Sequence, residues 1–133
     1  MMVRKPLGPR QPRPRDALGR PLPYGVQGVE PVSEEPLPPQ EALAFARELI
    51  AQGRAFSAHE VLEARWKAAP SDERDFWQGL AQLCVGVTHA ARGNRIGAIR
   101  LVERGAGKLT AYTGATYGVD VAAAIAWARA EVA

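Results

Sequence analysis

A chain of 133 residues has room for one compact core but not for two domains of ordinary size. Hydrophobic residues at 47% and charged residues at 23% match average globular composition and exclude a chain too polar to fold. The net charge of +3 is unevenly spread: residues 1–20 carry six Arg or Lys against Asp16 alone, so the remainder sums to −2, and a near-neutral body argues against a nucleic-acid platform.

The N-terminus "MMVRKPLGPRQPRPR" is basic but runs into prolines where a signal peptide needs an apolar core, so a cytoplasmic protein is expected. Ten of the eleven prolines fall in residues 1–39, where they fix φ and remove backbone donors. This segment is expected to be an extended, basic, Pro-rich arm, with residues 40–133 forming the helical domain. Leu22, Tyr24 and Val26 make the arm too apolar for a solvated tail, which predicts that they dock on the body or on a neighbouring subunit.

From residue 40 the pattern takes a helical period, with Leu43, Ala46, Leu49 and Ile50 recurring up to Gly53; a helix is predicted over about 40–52. Ser57 followed three residues later by Glu60 has the capping-box spacing, which predicts a second helix over 58–69. Ser71, with Asp72 and Glu73 behind it, is the expected N-cap of a long central helix reaching Arg92. In that helix "GLAQLCVGVTHAA", residues 79–91, is uncharged but shorter than the roughly 20 residues that cross a membrane. Cys84, the only cysteine, lies among Leu83, Val85 and Val87, which suits a buried thiol and excludes an internal disulfide.

Gly93 suits a left-handed cap, and Asn94 opens a fourth helix whose expected apolar stripe is Ile99, Val102, Ala106 and Leu109. Gly97, Gly105 and Gly107 each cost that helix about 1 kcal/mol relative to Ala, so either it is short or close packing offsets them. Arg100, Arg104 and Lys108 form a basic ridge at four-residue spacing, joined by Arg92 and Arg95. Asp120 is placed to cap a last helix over 121–131. No strand alternation occurs, so the expected fold is all-α: a small antiparallel bundle of four or five helices with the Pro-rich arm attached.

The residues with chemical potential concentrate on two helices. His59, Glu63 and Trp66 share one face of the second helix, with Glu60 about 100° round from His59. Gln78, Gln82, Val85 and His89 line one side of the third. In a hairpin about Pro70 and Ser71, Glu63 falls opposite Gln78 and His59 opposite Gln82, which predicts an interhelical polar network with a largely buried Trp66 beside it. The sharper reading is a divalent metal held by His59, Glu60 and Glu63. "HEVLE" shares with the H-E-x-x-H zinc signature only its first two letters, and His89 lies about 10 Å further along the axis than Gln82. Phosphate-binding glycine loops are absent.

The blocks "FSAHEVLEARW" and "WQGLAQLCVGVTHAARGNRIGAIRLVERG" resemble the family named domain of unknown function 309, over residues 45 to about 110. The hallmark positions carried over are His59, Glu60, Glu63, Trp66, Gln78, Gly79, Gln82, His89, Gly93, Asn94 and Gly97. The resemblance implies a small helical bundle and brings no established activity.

Two functions stay open. One is a noncatalytic binding or interaction module for a protein or small-molecule partner, with no cofactor, nucleic acid or membrane involved. The other is a metal-dependent hydrolytic enzyme in which His59, Glu60 and Glu63 hold a divalent ion and Glu60 activates water. A small core with an apolar arm also points to a homodimer.

Overall fold

The computed structural model describes residues 13–112, 114 and 116–133, so the basic stretch 1–12 of the arm lies outside the described residues. The fold is all-α, with five helices in chain order: α1 Pro39–Ala51, α2 Ala55–Ala68, α3 Arg74–Ala91, α4 Arg95–Leu109 and α5 Val121–Val132. The only extended pairing among the described residues is two isolated bridges, Arg15 with Pro21 and Thr116 with Val119.

α1 starts on Pro39, whose missing N–H falls where a helix has no acceptor to offer, and buries Ala42, Leu43, Ala46 and Leu49. α3 is the central helix, packed against α2, α4 and α5. It brings Phe76, Trp77 and Leu83 into the core, where they meet Leu49, Val102 and Leu109. Connections between the first four helices are short, so sequential helices run antiparallel.

Two helix starts differ from the expectation. α2 begins at Ala55 with no side-chain cap, so Ser57 and Glu60 form no capping box. Ser57 instead sits buried in the first turn, where its hydroxyl accepts a hydrogen bond from Arg54 Nη2 at 3.0 Å. Likewise Ser71 caps nothing: Ser71–Glu73 form a 3-10 turn and α3 starts at Arg74. That turn is held from the far side of the chain, since Tyr112 Oη donates to Asp72 O at 2.7 Å and Tyr117 Oη to Glu73 Oε1 at 2.7 Å. The hydrogen bond donated to Glu73 raises the pKa of the Tyr117 phenol.

Asn94 and Asp120 do cap α4 and α5, accepting from Gly97 N and Ala123 N, each at 3.0 Å. α4 runs its full length despite three glycines because it lies close on α3, burying Ala98, Val102, Gly105, Ala106 and Leu109. Val102, Ala106 and Leu109 of the expected stripe are buried, but Ile99 is 41% exposed and Ala98 takes the inward position in its place.

The arm docks, but two of the three expected side chains take no part: Tyr24 and Val26 are 67% and 47% exposed, and Leu22 is half-buried. Val32 and Leu37 pack against the core instead. Three body arginines hold arm carbonyls: Arg92 Nε donates to Leu18 O at 2.8 Å, Arg54 Nη2 to Glu30 O at 2.6 Å, and Arg65 Nη1 to Leu37 O at 3.1 Å. Phe56 lies within reach of the Arg15 and Arg92 guanidiniums, at 5.3 and 5.6 Å from its ring centre.

Candidate functional site

Three- and four-residue spacing brings His59, Glu63 and Trp66 to the side of α2 that faces α3. There, with Gln78, Ala81, Gln82 and Val85 of α3, they line a cleft of about 230 Å³. The two polar stripes thus share one cleft. Among the described residues they do not hydrogen-bond across it, and the expected interhelical network is replaced by pairing along α2. His59 Nε2 lies 2.7 Å from Glu63 Oε2, and Lys67 Nζ is 3.6 Å from the other oxygen of the same carboxylate.

His59 Nδ1 lies 3.2 Å from the carbonyl oxygen of Phe56. Both ring nitrogens thus face oxygen acceptors. Trp66 is half-buried rather than enclosed, and the Arg74 guanidinium sits 4.9 Å from its ring centre. Gln82 Oε1 is buried with no hydrogen-bond donor among the described residues.

A second, wider cleft of about 430 Å³ opens between the arm and α2, lined by Val32, Ser33 and Glu34 on one side and His59, Glu60, Glu63, Ala64 and Lys67 on the other. His59 and Glu63 border both clefts. Burial pushes the Glu60 carboxyl above the usual carboxylate range, with the Glu63 charge reinforcing the rise and His59, Arg15 and Arg54 opposing it. Among the described residues no group of three His, Cys, Asp or Glu side chains is arranged to hold a metal ion.

His89 and Asn94 belong elsewhere. Asn94 Nδ2 donates to His89 Nδ1 at 3.2 Å while its Oδ1 caps α4, and Asn94 N donates to His89 O at 2.8 Å. With Gly93 at φ +91°, these residues make the α3–α4 turn. A Cβ on Gly97 would press on the Asn94 amide, so the "HAARGNRIG" block reads as the chemistry of one helix connection.

Cys84 offers no nucleophile: it is fully enclosed, and burial pushes its thiol up to about 12. The sequence reading missed Arg54, Arg65 and Arg92 as the anchors of the arm. Their partners are backbone carbonyls 24 to 74 residues away, which leave no periodic signal.

Residues 43–101 match the family model described as Domain of unknown function (DUF309). This DUF309 stretch takes in most of α1, all of α2 and α3 and the first half of α4, so it contains the α2–α3 cleft and the His89–Asn94 turn. It ends short of residue 110, to which the sequence resemblance was expected to extend. The chain is also similar to "Uncharacterized protein YpuF" of Bacillus subtilis (strain 168), at 37% identity over 65 residues. Those residues are 48% of this chain and 37% of that protein, so the chain spans well under half the length of this relative. No solved structure matches the chain.

Proposed function

We propose that the DUF309 stretch is a noncatalytic binding module whose α2–α3 cleft receives a hydrogen-bond-donating group from a small molecule or a partner protein. The observation that carries this reading is Gln82 Oε1, a buried acceptor with no donor, in a cleft lined by the Gln78 amide, the Glu63 carboxylate and the half-buried Trp66. An unsatisfied buried acceptor costs about 1–3 kcal/mol, and a bound N–H recovers that cost. The Trp66 face beside that acceptor suits an N–H donor carried on an apolar stem, such as a guanidinium, while the Glu63 carboxylate is already bordered by His59 and Lys67.

Titration of the ¹⁵N-labelled full chain with arginine amide tests the reading, with citrulline amide as the uncharged control. Arginine amide is expected to shift the Gln78 and Gln82 side-chain amide signals and the Trp66 indole signal. Gln82→Leu should abolish those shifts while leaving the melting temperature at or above wild type. Unmoved cleft signals at millimolar arginine amide would overturn the proposal. A cytoplasmic setting agrees with the lone, buried, reduced thiol of Cys84.

One observation favours the second reading, a divalent ion serving hydrolysis: His59, Glu60 and Glu63 line the arm-side cleft together. In that reading His59, Glu60 and Glu63 would have to converge to hold the ion, since as placed they are not arranged to share one; the ion would supply Lewis-acid chemistry, and Glu60, whose proton affinity burial raises, would serve as the general base. His59 would have to exchange its 2.7 Å partnership with Glu63 for the ion.

A further inference from the structure

We infer that α1 of one copy of this chain docks on α4 of a second copy. Both helices lie at the margins of the bundle, α1 packed on α2 and α4 on α3 and α5, and each leaves a face turned outward. On α1 that face is Glu41, Ala44, Phe45 and Glu48, all exposed and set at three- and four-residue spacing. Phe45, 37% exposed, stands between the two carboxylates.

On α4 the outward face is Ile96, Ile99, Arg100 and Glu103, flanked by Arg95 and Arg104. Ile96 is 69% exposed and Ile99 41% exposed, so the two form a contiguous apolar centre on this face.

The charges on the two faces are opposite, and within the chain they are unspent. Glu103 is held by both ends of the Arg129 guanidinium, at 2.7 and 2.8 Å, so its charge is already matched. Lys108 of the basic ridge is paired with Asp75 at 3.6 Å, and Arg92 is committed to the arm. That leaves Arg95, Arg100 and Arg104, none with a carboxylate within 4 Å among the described residues, and no described cation lies within 4 Å of the Glu41 or Glu48 carboxylate.

The dimensions agree as well. Glu41 to Glu48 and Ile96 to Glu103 each span seven residues, about 10 Å of helix. Phe45 can then sit against Ile96 and Ile99 while its two flanking carboxylates reach the arginines. Gly107 has open space where a Cβ would stand, which lets a second helix approach the end of the stripe.

A second copy is favoured over an unrelated acidic protein because both halves of the match, apolar centre and charged rim, are present on this chain at one spacing. Nucleic acid is disfavoured by the exposed isoleucines and by the absence of aromatic residues from the ridge. A single helix-on-helix contact buries less than a permanent dimer needs, so the association is reversible and salt-sensitive. If the pair closes on a two-fold axis the contact forms twice; if it does not, copies add head to tail.

Sedimentation of the full chain over a concentration series at low salt tests the contact. The average mass is expected to rise above 14.3 kDa with concentration. Arg100→Glu with Arg104→Glu, and separately Glu41→Arg with Glu48→Arg, should each give a monomer, and mixing the two charge-reversed proteins should restore association. Circular dichroism checks that each remains folded; should either fail to fold, Ile96→Ser with Ile99→Ser replaces it and is expected to be monomeric. A wild-type mass of 14.3 kDa throughout would overturn the inference, as would association that survives these changes, or reversed proteins that stay monomeric when mixed.

Discussion

Gly79 and Gly105 face each other backbone to backbone where α3 meets α4: a Cβ on Gly79 would lie 3.0 Å from Gly105 O, and one on Gly105 would lie 2.8 Å from Gly79 O. The same approach recurs two helical turns along, where a Cβ on Gly86 would lie 3.0 Å from Ala98 O. Gly105→Ala is therefore expected to destabilise the fold by about 1–3 kcal/mol through overpacking against backbone that cannot yield. Gly107→Ala, which meets nothing, should gain up to about 1 kcal/mol from helix propensity alone. Urea unfolding of the two variants checks this; equal effects would show that the close approach does not constrain α4.

The arm is held at Gly19, which is buried at φ +77° with the Phe56 ring and the Arg92 guanidinium where a Cβ would stand. Gly19→Ala should release this part of the arm at a cost of about 1–2 kcal/mol from the left-handed conformation alone. Each 1.4 kcal/mol raises the open population about tenfold, so trypsin should cut after Arg15 at least several times faster while the helical body resists, Arg20 being protected by the proline that follows it. An unchanged cleavage rate would show that the arm is anchored elsewhere.

Glu63 decides between the two functional readings. Its side chain is 39% exposed, so Glu63→Gln should stay folded and cost about 1 kcal/mol, the low end for a disturbed charged partner. In the binding reading, chelators leave the melting temperature of the wild type unchanged. One equivalent of Zn, Mn or Fe retained by untagged wild type and absent from Glu63→Gln would instead establish the metal reading, and chelation would then lower the melting temperature by linkage.

Glu60 predicts a pH dependence. Its carboxyl is raised in the folded state, chiefly by burial, so the fold binds that proton more tightly than the unfolded chain does. The group favours the fold below the ordinary value of 4.5, and that contribution is lost as pH rises through the folded value. Glu60→Gln should therefore stabilise the protein at pH 7 and lose the advantage below about pH 4.5. Because the side chain is only partly enclosed, the gain should stay under about 1 kcal/mol. Thermal melts of both proteins across that range give the test, and a variant no more stable at pH 7 would refute it.

What the sequence determined by itself is everything set within a turn or two of helix. The helical period placed α1, the central helix and the last helix, and Asn94 and Asp120 announced their caps because an N-cap bonds a donor only three residues ahead. Angular spacing also put His59, Glu63 and Trp66 on one face and Gln78 and Gln82 on another, since 3.6 residues per turn needs no partner to hold.

Tertiary structure decided what depends on groups distant in the chain. The Ser57–Glu60 spacing looked like a cap, but Ala55 opens α2, where Arg54 ties the helix start to the arm at Glu30 O and to the Ser57 hydroxyl. Ile99 looked like core, but glycine-close packing on α3 turned α4 so that Ala98 and Gly105 face inward. Two polar stripes that share a face in the sequence became a cleft with an unpartnered Gln82, because whether facing side chains bond or leave a gap is fixed by the separation of their helices, which no local spacing encodes.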